Sequence, residues 1–405
     1  MKRASGLDLL RACAIAWVML FHAWAMLSTT YAIDAWHRPF AAFQSNGWMG
    51  VDLFFVLSGY LIGAQVLQPL MAGQSFSFAG FYVRRALRIL PVFLVVLALY
   101  FCWPSFREAD GIQPLWQFLT FTVNLLIDYR HNKAFSHAWS LCVEEHFYLL
   151  FPLLAWWMTR RPSARKFIIV SVCIVLGGML LRSWIWTHEL APVIFSDMGR
   201  FNRRFIEDIY FPTWARLDGL LAGAVLATIS TYRPALWERL QMRANRTLLI
   251  GLIVTGMATV IFHDRAGWLA SVVGYPMLSL GFALLVAAGA GTRGWLAMLH
   301  VPGARWIAAI SYSLYLSHKA VMHIMHNVLA VALEGHRLLA FAACTLAVLF
   351  AGAALHYAIE RPFLRLREQL FARSRPSALM SGRALPCAPC PSTKATPPWS
   401  GTDHP

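Results

Sequence analysis

An arginine and a histidine lie in line along the first apolar segment of the chain, LRACAIAWVMLFHAW, residues 10–24. Arg11 and His22 are eleven residues apart, about three turns at 3.6 residues per turn, so a helix presents both side chains on one face. Neutral imidazole, with an ordinary pKa of about 6.5, accepts a proton at neutral pH. A guanidinium binds phosphate through two parallel hydrogen bonds. The pair indicates proton-transfer chemistry at His22 and an anionic ligand near Arg11.

Further ionisable residues fall within three other apolar segments, GVDLFFVLSGY, WSLCVEEHFY and PTWARLDGLLAG. They are Asp52, Glu144, Glu145, Arg216 and Asp218. With about 1.5 Å of rise per residue, His22 lies roughly 9 Å below the outer membrane surface, and these residues reach a similar depth. Ionisable groups inside membrane spans are energetically costly and usually functional, although single ones also act as interhelical clamps. We therefore expect a polar site in the outer half of the membrane.

A group of arginines occurs in FYVRRALRILP, where the third apolar segment begins. They are Arg84, Arg85 and Arg88. Arg85 and Arg88 are three residues apart and share one helix face. One interpretation is a clamp for a soluble phosphorylated ligand. The other is an anchor that reaches lipid phosphates, and charge alone leaves both open.

A polar stretch, ISYSLYLSH, lies within the ninth apolar segment and contains Ser311, Tyr312 and His318. Interhelical hydrogen bonding is the simplest interpretation for the serine, whereas a histidine near the middle of the membrane needs a specific partner. His323 and His326 lie further out and are expected to line an outer vestibule. Because no carboxylate lies at ligand spacing, we expect no metal site.

The elements that position these residues are expected to be membrane-spanning helices. The chain has 405 residues, of which 58% are hydrophobic and 13% charged, and a mean hydropathy of +0.54. A soluble domain has about 25% charged residues, so this composition predicts an all-α, polytopic membrane helical bundle. About ten apolar runs have spanning length. They cover residues 6–28, 48–67, 88–103, 138–158, 166–187, 211–230, 247–263, 268–291, 306–332 and 338–359. A weaker run at 115–127 is expected to be interfacial or re-entrant.

Most arginines and lysines between these runs fall on the side that holds the N-terminus, which predicts that both termini are cytoplasmic. The same loops account for the net charge of +16 without a nucleic-acid partner. We expect residues 1–365 to form the transmembrane domain and residues 366–405, rich in Pro and Ser, to form a mostly disordered cytoplasmic tail. Cys387 and Cys390 in this tail have no second pair that would complete a zinc site.

Taken in order, these motifs resemble membrane acyltransferase family 3, bacterial inner-membrane enzymes that O-acylate cell-envelope carbohydrates and related acceptors. The resemblance rests on Arg11 with His22, then on GVDLFFVLSGYLI, FYVRRALRILP, WSLCVEEHFY, RLDGLLAG and ISYSLYLSH, and it covers residues 5–365. It implies an acyl-CoA co-substrate, by default acetyl-CoA, that binds from the cytoplasm, and an acceptor that is reached from the outer side. No permanently bound cofactor is implied. His146 departs from the glutamine that is common at its position.

The resemblance makes His22 essential and gives the Arg85–Arg88 pair, with Arg84 and Arg11 beside it, a role in binding the donor. His22 would act either as a general base or as a covalent acyl carrier. A carboxylate would orient His22 and stabilise the imidazolium. The candidates are Asp52, Glu144 and Glu145, and because consecutive helical residues point about 100° apart, only one of the two glutamates is expected to face a cavity. The candidates for stabilising the oxyanion are Arg216, Tyr312 and Ser311.

Two other functions fit parts of the pattern. The first is a transporter of a lipid-linked sugar or another polar solute, which would favour charges at the midplane and internal symmetry. The second is a scaffold whose polar residues only join helices. The sequence leaves open the acceptor, the length of the acyl chain and the oligomeric state.

Overall fold

The computed structural model describes residues 5–27, 38–329 and 336–372, and helices dominate this part of the chain. Each of its long helices overlaps one of the predicted apolar runs. They are α1 (Ser5–Leu27), α2 (Met49–Met71), α3 (Phe78–Cys102), α4 (Ala138–Thr159), α5 (Ala164–Ile185), α6 (Asp218–Tyr232), α7 (Ala244–Ile261), α8 (Tyr275–Gly289), α9 (Ala304–Leu329) and α10 (Arg337–Leu355). The predicted run ends at 28 and 330–332, and the tail from residue 373 with Cys387 and Cys390, lie outside the described residues.

Shorter helical segments connect these helices. The α-helical ones are Arg38–Ser45, Leu115–Leu119, Met198–Arg204, Pro234–Met242, Trp295–Met298 and Arg361–Ala372. Single 3₁₀ turns occupy Pro104–Phe106, Ala191–Val193, Thr213–Ala215 and Phe262–Asp264. Wider π-helical turns occupy Trp186–Leu190, Phe205–Tyr210, Ala270–Gly274 and His356–Glu360. The described residues up to Leu364 form one compact unit, and the short helical segment from Arg365 belongs to a second.

The predicted fold class, a polytopic helical membrane protein, is confirmed. Within the described residues, seven helical stretches are long and apolar enough to cross a membrane, and they comprise all or most of α1, α2, α3, α5, α7, α8 and α10. The other three predicted spans are helical but shorter or more polar: α6 has 15 residues, and α4 and α9 carry candidate site residues. Polar and charged residues thus lower the mean hydropathy of α4 and α9.

The centre of the bundle is built around α2 and α8. Of the spanning part of each, 72% is buried inside the protein, whereas α5 is 11% buried and therefore peripheral. The 103–137 segment between α3 and α4 also enters the core, because Phe118, Val123 and Phe135 are almost fully buried. Within the weaker apolar run at 115–127, only Leu115–Leu119 is helical, which is too short to span a membrane.

Two helices begin at positions that the apolar runs do not mark. α3 begins at Phe78, ten residues before the apolar run, and Ser77 caps it by accepting a hydrogen bond from the Gly80 backbone N–H. The arginines of FYVRRALRILP therefore lie inside this helix. α6 begins only at Asp218, because Pro212 and the 3₁₀ turn that follows it interrupt the apolar run. A hydropathy profile does not detect the polar part of a helix, and it does not distinguish an apolar turn from an apolar helix.

Glycines allow α2 and α6 to approach each other closely. A Cβ atom on Gly59 would lie 2.1 Å from the Leu220 carbonyl oxygen, and one on Gly223 would lie 2.2 Å from the Val56 carbonyl oxygen. Such distances are far inside van der Waals contact, so only glycine fits. Small residues at helix crossings in membranes increase packing contact in this way.

We expect Gly59→Ala to destabilise the protein by about 1–3 kcal/mol, because a methyl group overpacks the α2–α6 crossing. Gly177→Ala is the matched control, since a Cβ on Gly177 meets no atom within 4 Å. This control is expected to be neutral or stabilising by up to about 1 kcal/mol, as alanine favours helices over glycine. Thermal unfolding of both purified variants in detergent measures the difference. Equal stability of the two variants would contradict the tight crossing.

Candidate active site

His22 and His318 form a hydrogen-bonded pair between α1 and α9. His22 Nδ1 lies 3.0 Å from His318 Nε2 and 3.1 Å from the Val18 carbonyl oxygen. His318 Nδ1 lies 2.7 Å from the Tyr315 carbonyl oxygen. His318 is completely buried. The pair therefore joins residues that are almost three hundred positions apart in the chain.

These contacts assign the protons of the two neutral imidazoles. A carbonyl oxygen only accepts, so His318 Nδ1 must donate to Tyr315, which leaves His318 Nε2 as an acceptor. His22 Nδ1 then donates to His318 Nε2 and shares this proton with the Val18 carbonyl. The remaining nitrogen, His22 Nε2, carries the lone pair. His22 is thus held in the tautomer that a general base or nucleophile requires.

A third histidine, His137, and a partly buried ion pair between Glu108 and Lys319 lie beside the His22–His318 pair. The ring centroid of His137 lies 5.0 Å from that of His318. Beside it, the Lys319 ammonium lies 2.9 Å from Glu108 Oε1 and donates to Ser136 Oγ at 3.3 Å. Because Lys319 follows His318 directly, this ion pair fixes the part of α9 that presents His318.

Glu108 is held by several donors. Its carboxylate accepts hydrogen bonds from the Tyr100 hydroxyl at 2.9 Å and from the Phe135 backbone N–H at 3.1 Å. Burial by itself would raise the pKa of Glu108, but the Lys319 ammonium, which also donates a hydrogen bond, and the Tyr100 hydroxyl outweigh it and hold the pKa below its usual range. Glu108 is therefore ionised at neutral pH, as the ion pair with Lys319 requires.

The expected arginine site forms one part of a cavity. A cavity of about 130 Å³ lies between α1, α2, α3, α4 and α9, and Arg11, Arg85 and Arg88 all line it. The Arg85 guanidinium carbon also lies 4.0 Å from the centre of the Tyr148 ring. Arg84 is exposed and does not line this cavity. Two helices thus direct three guanidinium groups into one space, as a phosphorylated ligand requires.

Glu144, rather than Glu145, faces this cavity. Its carboxylate accepts hydrogen bonds from Ser58 Oγ at 3.1 Å and from the Tyr148 hydroxyl at 2.5 Å. Glu145 is not among the lining residues, and its Oε1 is buried without a hydrogen-bond partner in the described part of the chain. The structure thus selects one of the two glutamates that the sequence left open.

Tyr315 connects the cavity to the histidines. It lines the cavity together with Ser140, and its hydroxyl lies 2.6 Å from Ser140 Oγ and donates to the His137 carbonyl at 3.0 Å. Its ring centroid lies 5.7 Å from that of His318. Along α4, Ser140 precedes Tyr148 by about two turns, so Ser140 marks the deeper end of the cavity. This end therefore lies directly beside the histidine cluster, which consists of His22, His137 and His318.

The RLD segment between the 3₁₀ turn and α6 makes two buried ion pairs. Arg216 Nη2 donates to Asp52 Oδ1 at 2.6 Å, and Arg182 Nη1 donates to Asp218 Oδ2 at 2.8 Å. Both arginine side chains are 1% exposed. The rings of Trp139, Tyr210 and Tyr275 enclose the Arg216 guanidinium, with centroids 4.2–5.3 Å from its carbon. The segment is thus fastened to α2 on one side and to α5 on the other.

The residues expected in two roles have different contacts from those predicted. The observed side-chain partner of His22 is His318 rather than one of the three candidate carboxylates, and Asp52 binds Arg216. Among the expected oxyanion donors, Ser311 and Tyr312 both line the arginine cavity, but their hydroxyls donate to the carbonyls of Ala308 and Ile89. The third, Arg216, is held by its ion pair. Asp52, Arg216, Ser311 and Tyr312 thus contact groups other than His22.

Several other polar side chains, among them the predicted His146 and His323, have identifiable contacts. His146, where a glutamine is common, places Nδ1 2.7 Å from Thr213 Oγ1. His323 Nε2 lies 3.0 Å from the Asn327 amide. The side chains of Ser313 and His356 both contact the buried Glu360 carboxylate at 2.8 Å. None of these contacts reaches His22.

Sequence reasoning did not single out several of these residues. Arg182 is an intramembrane cation in an apolar run, and the rule that flagged Arg216 would also have found it. Lys319 is adjacent to the flagged His318 and carried a similar signal. Glu108 and His137 lie in a polar connecting segment where charge is ordinary, so only their three-dimensional contacts reveal them.

We expect the Asp52–Arg216 pair to be structural. Asp52→Leu leaves a buried guanidinium unpaired and should destabilise the protein by about 3–5 kcal/mol, whereas Asp52→Leu combined with Arg216→Met should recover most of this loss. Asp208→Asn, which breaks a partly exposed pair with Arg204 at 3.2 Å, is the control and should cost at most about 1 kcal/mol. Thermal unfolding in detergent measures all three. Additive losses in the double variant would show that the pair does not act as a unit.

Comparison with known proteins agrees with this architecture. Residues 5–357 match the acyltransferase 3 family, described as an acyltransferase domain. The O-acetyltransferase OatA of Staphylococcus aureus strain NCTC 8325 is 28% identical over 345 residues, which cover 80% of this chain and 51% of the relative. A putative O-acetyltransferase of Staphylococcus aureus strain COL is 25% identical over 356 residues, covering 81% and 52%. The chain spans about half the length of the curated relatives it matches. No solved structure matches it. Since the family match extends over most of the chain, the protein belongs to the acyltransferase 3 family.

Proposed function

We propose that this chain is a membrane O-acetyltransferase of the bacterial plasma membrane. It takes the acetyl group of acetyl-CoA from the cytoplasmic side and transfers it to a hydroxyl of a cell-envelope carbohydrate or a related acceptor. The observation that supports this best is the His22–His318 hydrogen bond beside the deep end of the arginine-lined cavity. The relatives carry the name O-acetyltransferase, which agrees with the type of reaction proposed here.

The cavity suits the donor. Arg85, Arg88 and Arg11 would bind the phosphates of CoA, because guanidinium groups form charge-assisted, bidentate hydrogen bonds with phosphate. The pantetheine arm would then extend along the cavity, past Glu144 and Tyr148, towards Ser140 and Tyr315. In this arrangement the thioester arrives next to the histidine cluster while the charged nucleotide stays at the cytoplasmic end.

His22 would act on the acceptor. Its Nε2 takes the proton of the acceptor hydroxyl as the oxygen attacks the thioester carbonyl carbon. The new C–O bond forms, the C–S bond breaks, and the CoA thiolate takes the proton back from the imidazolium, because a thiol has a pKa of about 8.5. His318 assists by accepting the Nδ1–H hydrogen bond, which strengthens when His22 becomes positive. An acyl-histidine intermediate is the alternative, in which His22 Nε2 itself attacks the thioester.

We expect His22→Ala to abolish acetyl transfer and to leave donor binding largely intact, since His22 does not line the arginine cavity. The measurement uses inside-out membrane vesicles with acetyl-CoA labelled on its acetyl group, followed by extraction of alkali-labile label from glycan and lipid. His131→Ala, in an exposed loop, is the matched control and should retain activity.

Two results would contradict the assignment. Equal loss of transfer and of acetyl-CoA binding in folded His22→Ala would mean that His22 binds the donor. The absence of transfer by the wild-type protein in native envelope would favour another donor or a transport function. Label on the protein itself, formed without acceptor and absent from His22→Ala, would indicate the covalent route.

We expect Arg88→Gln to raise the KM for acetyl-CoA by about tenfold to a hundredfold with a smaller change in kcat, because hydrogen bonds to charged groups contribute about 1.5–3 kcal/mol. Arg305→Gln removes an exposed arginine near the start of α9 that does not line the cavity, and serves as the control. Initial rates against acetyl-CoA concentration give both constants. Unchanged KM in a stable Arg88→Gln protein would refute a phosphate clamp at this position.

A further inference from the structure

A second and larger cavity lies along a different face of α4 from the arginine cavity. It is a groove of about 740 Å³ between α4, α5 and α6, and it shares no lining residue with the arginine cavity. Its walls are almost entirely apolar, with Phe147, Phe151, Ile174, Leu221 and Val225 as examples. At its edge, Leu150 and Ile168 are 62% and 58% exposed, so the groove opens towards the membrane hydrocarbon.

The groove is longer than the hydrocarbon part of one membrane leaflet, which is about 15 Å. Its lining residues on and beside α6 extend from Leu217 to Arg233, which at 1.5 Å per residue corresponds to about 24 Å. The end at Arg233 lies on the side predicted to be cytoplasmic, where the positively charged connecting segments gather. The dimensions and the apolar walls fit hydrocarbon chains that run parallel to the helices.

The cytoplasmic end of the groove is polar, unlike its apolar walls. Arg233 lines it, together with Thr159 and Ser163 from the turn that joins α4 to α5. The hydroxyl of Tyr232, which also lines the groove, is buried and has no hydrogen-bond partner among the described residues. No acidic residue is among the described lining residues. This end therefore offers one cation and several hydroxyl groups to a ligand.

Neighbouring cations make this end of the groove more favourable for an anionic ligand. The turn between α4 and α5 carries Arg160, Arg161, Arg165 and Lys166 within seven residues. Two of these cations are held in place over tryptophan rings: Arg160 lies 3.7 Å from the centre of Trp156, and Lys166 lies 3.6 Å from that of Trp157. Hydroxyl groups and cations at the mouth of an apolar groove are complementary to a phosphate that carries hydrocarbon chains.

We propose that this groove is a binding site for an anionic glycerophospholipid of the cytoplasmic leaflet, with its acyl chains between α4, α5 and α6 and its phosphate at Arg233. A nucleotide does not suit the groove, because its polar base and sugar would be buried against apolar walls without partners. The inference does not depend on the acetyltransferase function.

Occupation of the groove would stabilise the protein. Three of its residues, Leu221, Val225 and Ile229, belong to α6, whose first residue Asp218 pairs with Arg182 of α5. A lipid that fills the space between these helices binds only the folded arrangement, and ligands that bind only the folded state stabilise it by mass action.

The test uses the full chain purified in mild detergent, followed by extraction and mass spectrometry of co-purified lipids. Delipidated protein is then titrated with phosphatidylglycerol or with phosphatidylcholine while thermal unfolding is followed. The variants are Arg233→Gln, which removes the cation, and Val225→Trp, which fills the groove. Their matched controls are Arg239→Gln and Ile250→Trp, at exposed positions outside the groove.

We expect near-stoichiometric phosphatidylglycerol in the wild-type protein and in both controls, and an increase in melting temperature that phosphatidylcholine does not produce. Arg233→Gln should weaken phosphatidylglycerol binding by about tenfold, the loss expected for one charge-assisted contact. Val225→Trp should lose the bound lipid. Should it fail to fold, the exposed Arg233→Gln still decides the question.

Three results would overturn the proposal. Equal lipid retention by Arg233→Gln and Arg239→Gln would show only general lipid adhesion. Equal stabilisation by phosphatidylcholine would exclude headgroup selection at Arg233. Recovery of a lipid-linked saccharide in place of a phospholipid would assign the groove to a different occupant.

Discussion

The interaction on which the arrangement of helices most depends is the buried Asp52–Arg216 ion pair, together with its neighbour Arg182–Asp218. A charge in an apolar interior is very unfavourable unless it is paired and hydrogen bonded, so each of these residues requires its partner. Arg216 and Asp218 are two residues apart, and their partners lie on α2 and α5. The RLD segment thus fixes the start of α6 relative to two other helices.

The position of α6 has consequences for both cavities. Close packing of Gly223 against the backbone of α2 lets α6 lie beside the helix that lines the arginine cavity. The other side of α6 forms a wall of the lipid-facing groove. A single element, held by two ion pairs and glycine contacts, thus packs against a helix that lines the interior polar cavity and forms a wall of the exterior apolar groove.

The histidine pair depends on a different support. His318 lies on α9 next to Lys319, and Lys319 binds Glu108 from the segment between α3 and α4. Because that segment carries buried aromatic residues such as Phe118 and Phe135, it is anchored in the core and holds Glu108 firmly. The position of the His318 ring, and with it the tautomer of His22, thus depends on an ion pair between α9 and a connecting segment. This dependence explains why residues of a connecting segment belong to the site.

The amino-acid sequence by itself determined the membrane class, the approximate positions of the long helices and the identity of most polar residues buried among them. Hydropathy and helical periodicity are local properties, so Arg85 and Arg88 were correctly placed on one helix face. Depth along the membrane is also local, because it follows from residue number. Only the tertiary structure decided which residues meet: Asp52 with Arg216 and His22 with His318. Contact between two helices depends on the rotation of each about its own axis and on the choice of neighbours. Both are set by packing and by the pairing of buried charges across the whole bundle.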